Sequence, residues 1–479
     1  MQSYPEQITT LLLRLAQDRS KALNLELQRL QSRQYPSTGP HTLIKLAVAT
    51  NEKITKDLSV MLDQQQKTKG IPNLEIEIAL RAKTELLAFL HFLMQYVEGA
   101  DIEHTPIAFI FPLQCLLRKH LTSRSKFDFI VRSSHSYNYK IRPMAEGIRE
   151  VFSNAGYKRL LYLLPNQFLV IDYPICERRN VLVQCMFVHE LSHTLYYRYN
   201  LASRLLPNAL LNEEEVQRLI AAYAIQRVEV TESKTESASA EVLPRWIIED
   251  RVRVSLQTTV EQWVEELTAD ALALCLFGPA YFFAFAYFSG PFASMDKPSE
   301  THPPDKMRIE FMFDMLLKDR GLGYGKVLDD IAKTHIELWR SYAMQVRPAV
   351  SSTENILFSI VTQTIRQLFA HIVEQTKEVT RGKRYSPQAF SRDVSTLCLN
   401  LANAFPPNEI IEDYKKGNTR VMEAESILNA GWVYLISGYK TFADLLGVED
   451  SRETINKLYD LVAKGLEYAE IQRQWGMEA

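Results

Sequence analysis

The sequence predicts an α+β protein, predominantly α-helical, with one small β-sheet in its middle third. Three observations carry this. The first hundred residues read as long apolar-striped stretches stopped by turn residues, alternating or β-branched runs are confined to about 127–172, and beyond Pro244 no strand signal interrupts the helical spacing. These textures divide the chain into a helical bundle at 1–100, a core carrying the chemistry at 101–320, and a helical carboxyl-terminal domain at 321–479.

In chain order, residues 5–31 set Ile8, Leu11, Leu12, Leu15, Ala22, Leu23 and Leu30 on one broad stripe, which stops at Tyr35-Pro-Ser-Thr-Gly-Pro40. Helices at about 41–67 and 74–97 follow, divided by the breakers of Lys69-Gly-Ile-Pro72. A helix at 107–120 leads into a strand at 127–131, and a further helix at 144–153 precedes the runs 160–164 and 168–172. With Pro165-Asn-Gln167 between them, these two runs read as a hairpin, and an exposed edge of that sheet, beside the helix discussed below, could receive an extended peptide as an added strand. Asn212 is an N-cap candidate for an acidic-headed helix reaching about Ile225. The Glu-, Ser- and Thr-rich stretch 229–241 reads as a mobile loop that could serve as a lid.

At 479 residues and 46% hydrophobic content the chain can bury a large core, and 55 basic against 57 acidic residues give no bulk charge that recommends nucleic acid or an anionic membrane. The five cysteines are odd in number, widely spread and form no C-x-x-C pair, which fits reduced thiols in the cytoplasm better than a disulfide framework. Met1-Gln-Ser-Tyr-Pro-Glu6 shows no signal peptide. Residues 271–295 carry no charge and are long enough to cross a bilayer, but Gly278-Pro279 and Ser289-Gly290-Pro291 break them into pieces that suit a pair of buried helices. A membrane partner is therefore not expected.

The chemistry centres on His189-Glu-Leu-Ser-His193, an H-E-x-x-H motif within an apolar run free of Gly and Pro from Glu177 to Asn200. Side chains four apart on a helix lie one above the other, so both imidazoles can reach one ion while Glu190 faces a water beside it, as a hydrolytic zinc site requires. Cys185, one turn earlier, reads as a core residue that could also touch the metal.

Two histidines need a third protein ligand. His193 is followed at the relevant spacings by Tyr196 and Tyr199, which excludes a three-histidine site with a glycine turn, so a carboxylate must come from another helix. Trp263-Val-Glu-Glu-Leu-Thr-Ala-Asp270 offers Glu266 as ligand and Asp270, four residues on, as the acceptor that braces a metal-bound imidazole. Glu265 is the competing ligand.

These blocks, with Thr301-His-Pro-Pro-Asp-Lys-Met-Arg-Ile309, resemble the three-part signature of the gluzincin metallopeptidases, most closely the heat-shock and prenyl-protein membrane endopeptidases; a weaker likeness is to the cytosolic peptidases that cleave repressors in phage immunity. The resemblance covers about 160–315 and implies a zincin-like core. It also implies one Zn²⁺ held by His189, His193 and Glu266, a water acidified by that ion, Glu190 as general base, and His302 or Arg308 as donor to the oxyanion. Capping by His302 and pairing of Arg308 with Asp270 or a backbone carbonyl would explain both residues without catalysis. The membrane relatives carry spanning helices ahead of the motif, and this chain shows none there, so the likeness does not extend to membrane substrates.

The leading reading is thus a zinc endopeptidase acting on a protein or peptide. The alternative is a helical scaffold with a structural or vestigial zinc site, and a third reading adds a regulatory protein partner that relieves latency. His41, His91, His335, His371 and Trp432 read as packing or surface residues.

Overall fold

The computed structural model describes residues 4–67, 74–121, 127–233, 244–290, 298–345, 352–413, 418–448 and 450–478. The chain forms two compact units, Met1–Arg179 and Asn180–Ala479, so the boundaries expected near 100 and 320 fall inside units. The α+β, predominantly helical class holds, with one small mixed sheet of three strands.

The first unit begins with three long helices, α1 (Tyr4–Gln31), α2 (Gly39–Lys67) and α3 (Leu74–Glu98), followed by α4 (Ile107–Leu121), β1 (Phe127–Ser134), β2 (Lys140–Pro143), α5 (Ala145–Asn154) and β3 (Gln167–Pro174). On α1 the buried face is Leu13, Ala16, Ser20, Leu23, Leu27 and Leu30, while Ile8, Leu11, Leu12 and Leu15 are about half exposed. The helix has two apolar faces. Ser20 conceals the inner one in the sequence; its hydroxyl is satisfied by Asn51 and Thr55. The expected turn at 69–72 lies outside the described residues.

The hairpin expected at 160–172 does not form. Residues Lys158–Leu163 wind into a 3₁₀-helix, because a run of Leu and Tyr with no alternation and no β-branching has little to hold it extended. Strand β3 is instead the centre of the sheet, parallel to β1 and antiparallel to the polar β2, which sequence patterning misses. On the outer edge of β1, Phe129 O accepts from Ser37 Oγ at 3.0 Å and Val131 O from Thr105 Oγ1 at 3.2 Å. Gly39 permits this close approach, since a Cβ there would lie 2.0 Å from Phe129 O. Those outward carbonyls are therefore already satisfied, which disfavours strand addition at this edge.

The second unit contains α6 (Met186–Arg198), α7 (Leu201–Leu205), α8 (Glu213–Ser233), α9 (Arg245–Phe277), α10 (Pro279–Ser289), α11 (Asp305–Leu317), α12 (Asp330–Gln345), α13 (Ser352–Val379) and α14 (Pro387–Ala402). A short hairpin follows, β4 (Ile410–Asp413) with β5 (Asn418–Val421), then α15 (Ala424–Ser437), α16 (Tyr439–Leu446) and α17 (Ser451–Glu478). The hairpin corrects the expectation of unbroken helix after Pro244; four-residue strands are too short to show a period. Asn212 caps α8 through Glu214 N at 3.0 Å, but the helix continues to Ser233, so 229–233 is helical and not a loop, and 234–241 lies outside the described residues.

The uncharged stretch forms the end of α9 and all of α10, buried from Leu267 to Ala286 within this unit; 291–295 lies outside the described residues. Among the described residues one helix segment, Ile356–Val379, is long and apolar enough to cross a membrane, yet Leu357, Ile360, Val361, Ile365, Leu368 and Ile372 are buried while Arg366 and Lys377 are charged, the pattern of an amphipathic core helix. Trp432 is buried and donates to Leu182 O at 3.1 Å, a packing role.

The corner between α9 and α10 sets the direction of α10. Gly278 sits at φ +63 and ψ −147, open to glycine alone, and a Cβ there would lie 2.7 Å from the Tyr324 hydroxyl. Asn429 closes the corner by donating to Phe277 O at 2.7 Å and accepting from Ala280 N at 2.9 Å. Gly278→Ala is expected to destabilise the protein by about 1–3 kcal/mol or more, read as a lowered thermal midpoint; an unchanged midpoint would show that the corner relaxes freely.

Candidate metal centre

His189 and His193 stand one turn apart on α6 and face α9, which presents Glu265, Glu266 and Asp270 along one turn of its own. Small buried side chains let the two helices approach: Ser192 and Thr268 are fully buried and turn their hydroxyls onto Val188 O and Val264 O of their own helices.

Each imidazole is oriented by a carboxylate of α9. His189 Nδ1 lies 3.0 Å from Asp270 Oδ1, and His193 Nδ1 lies 2.8 Å from Glu265 Oε1. Glu265, the competing ligand of the sequence reading, therefore braces the second histidine as Asp270 braces the first. With both Nδ1 atoms assigned as donors to carboxylates, both Nε2 atoms are turned toward the same point, where a cation can replace the proton that His189 Nε2 otherwise holds, and they face each other at 3.3 Å. Glu266 closes the triangle, with Oε2 3.4 Å from His189 Nε2 and Oε1 3.5 Å from His193 Nε2.

Acceptor atoms gathered this closely need a positive charge between them, a proton on His189 or a cation in its place. The buried Glu266 Oε2 accepts no hydrogen bond, as expected of an atom reserved for a cation. The separations also match the edge of a tetrahedron with bonds of about 2.0–2.1 Å, roughly 3.3–3.4 Å. His189, His193 and Glu266 thus form a group that can hold a metal ion, and Cys185, buried in the core, is not part of it.

Around this group lies a buried charge network that only partly shows in the sequence. Arg308, near the start of α11, donates from Nε to Asp270 Oδ2 and from Nη2 to Asp270 Oδ1, both at 2.7 Å, and its Nη1 lies 3.5 Å from Glu266 Oε2. Its face rests on the Phe285 ring at 4.4 Å. Tyr281, which sequence reading passes over as one more aromatic in an apolar run, donates to Asp270 Oδ1 and stacks parallel to His189. Arg308 therefore makes the pairing with Asp270 that explains the residue without catalysis. His302 is held differently: a turn closed by Ser299 N to His302 O leaves its side chain 60% exposed, with Nε2 3.5 Å from Glu266 Oε1.

The electrostatics follow from burial and pairing. Burial would raise the carboxyl groups of Glu266 and Asp270, but His189 and Arg308 outweigh it, holding Glu266 at about 2 and Asp270 well below the carboxylate range. Burial would lower His189, yet the carboxylates of Asp270 and Glu266 beside it push it up to about 9. Burial also raises Glu190, a half-buried carboxyl group with no hydrogen-bond or ion-pair partner among the described residues, and it raises Asp305, which lies in the field of Arg308.

A consequence is that the metal-free chain keeps a proton on His189 up to about pH 9, against an ordinary value near 6.5. The stability this charge contributes is fully present below about pH 6.5 and is lost as pH rises through about 9. A cation must displace that proton, so metal affinity is expected to rise by about tenfold per pH unit toward 9. Competitive titration with a chromophoric chelator at pH 6, 7 and 8 tests this; a flat profile would show that the proton is not there.

Comparison with protein-family models, with curated proteins and with solved structures finds no match to this chain. The site therefore stands on its own geometry and on the three short motifs.

Proposed function

We propose that the protein is a zinc-dependent endopeptidase that hydrolyses peptide bonds of a protein or peptide substrate, acting in the cytoplasm. The observation that carries this reading is the triangle of His189, His193 and Glu266 with the Glu190 carboxyl group one residue along α6. Two imidazoles and one carboxylate are the donor set of catalytic zinc, which keeps a coordination position open, whereas structural sites are closed by four protein ligands.

Zinc supplies Lewis acidity at such a site, acidifying a water and polarising the scissile carbonyl. The rest is done by the chain. Glu190, with its pKa raised by burial, is suited to take a proton from the attacking water and return one to the leaving amine. His302, exposed beside Glu266, is placed to donate to the oxygen of the tetrahedral intermediate. Arg308 acts through Asp270 as a positioning residue. The test is to incubate the purified chain, with zinc and with a chelator, in a lysate of its host and to read new peptide termini. Zinc-dependent termini support the reading; termini that persist after chelation, or none at all, argue against it.

A further inference from the structure

The two histidine braces differ in a way that bears on metal exchange. Each is a carboxylate held by a tyrosine: Asp270 accepts from Tyr281, and Glu265 Oε2 accepts from the Tyr197 hydroxyl at 2.6 Å. The first brace is sealed, with side-chain exposures of 6% for His189 and 0% for Asp270, and with Arg308 locking the carboxylate from its other side. The second opens on solvent. His193 is 23% exposed, Glu265 14%, and Tyr197 64%.

We propose that the metal enters and leaves on the His193 side, with Tyr197 as the latch. Tyr197 stands one turn beyond His193 on α6, so its hydroxyl reaches across to α9 and holds Glu265 Oε2, which keeps Oε1 on His193 Nδ1. Freed of that contact, the Glu265 carboxylate can rotate into water, and the imbalance leaves His193 as the ligand that lets go while His189 stays fixed. Tyr197 is thus a positioning residue. Nothing in the motif demands it, since its hydroxyl is spent on Glu265.

The proposal rests on the metal-centre reading, and its test separates the two. Full-length protein loaded with zinc is mixed with excess 4-(2-pyridylazo)resorcinol, and the release rate is followed for the wild type, Tyr197→Phe and Glu265→Gln. Braces of this kind alter metal binding by about 10–100-fold. Tyr197→Phe is accordingly expected to release zinc about tenfold faster and Glu265→Gln faster still, with the thermal midpoint of the metal-free protein unchanged in Tyr197→Phe. Cobalt in place of zinc should show a loosened ligand field in the same variant. A wild-type chain that takes up no zinc overturns the metal centre and the latch together. Zinc uptake with wild-type release from Tyr197→Phe, or faster release accompanied by a lowered metal-free midpoint, overturns the latch alone.

Discussion

Replacing Glu190 with Gln is expected to remove peptide cleavage, by about 10²–10⁴-fold, while the chain still binds one zinc ion. The two halves of this result come from different parts of the site. Metal retention follows because Glu190 is not among the three ligating side chains, and the imidazoles are aimed by Asp270 and Glu265 from α9 rather than by anything on Glu190. Folding should survive because the carboxyl group has no hydrogen-bond or ion-pair partner among the described residues, so an amide of the same shape orphans nothing there. What is lost is a base. A carboxylate with its pKa raised by burial is better matched to accepting a proton near neutrality than an exposed one, and an amide cannot accept it at all. Lysate-derived peptide termini and elemental analysis on the same preparation check both halves. Cleavage near the wild-type rate would remove Glu190 from the mechanism; loss of zinc would make it a ligand.

Much of this site was legible because helix geometry turns sequence spacing into spatial position. His189 and His193, and Glu266 and Asp270, are pairs four residues apart, and each pair comes to one face as the spacing requires. Glu265 shows the limit of that argument. As an acidic neighbour of Glu266 it reads as a rival ligand, and only the angle at which α9 crosses α6 turns it onto the far nitrogen of His193. Tyr197 could have been found, being one turn after His193, but a tyrosine gives no signal until its partner on another helix is known. Tyr281 had none. The fold divides similarly: the long helices announce themselves by period, whereas β2, β4 and β5 are four residues each, and the inner face of α1 is masked by Ser20. The 3₁₀ segment at 158–163 shows that an apolar run flanking a turn is not a strand unless something pairs with it.

The largest effect on stability is expected from Arg308→Met, and it should depend on whether metal is bound. Arg308 is 7% exposed and supplies the only side-chain cation, among the described residues, that makes two hydrogen bonds to Asp270. Removing it leaves Asp270 buried with Tyr281 and His189 as its remaining donors and takes away one of the charges that keeps Glu266 ionised. Breaking one partner of a buried pair typically costs about 3–5 kcal/mol, far more than the pair itself contributes relative to an apolar replacement. That cost should appear in full in the metal-free chain. With a divalent cation in the triangle, the cluster exchanges the single charge of the His189 proton for two beside Glu266, so the loaded variant should recover part of the loss. The comparison of thermal midpoints with and without zinc therefore separates a site built for a cation from a self-contained salt-bridge cluster. Equal destabilisation in both states would mean that Arg308 and the metal do not share the same electrostatic work, and the pairing of Arg308 with Asp270 and Glu266 would then be a self-contained salt-bridge cluster.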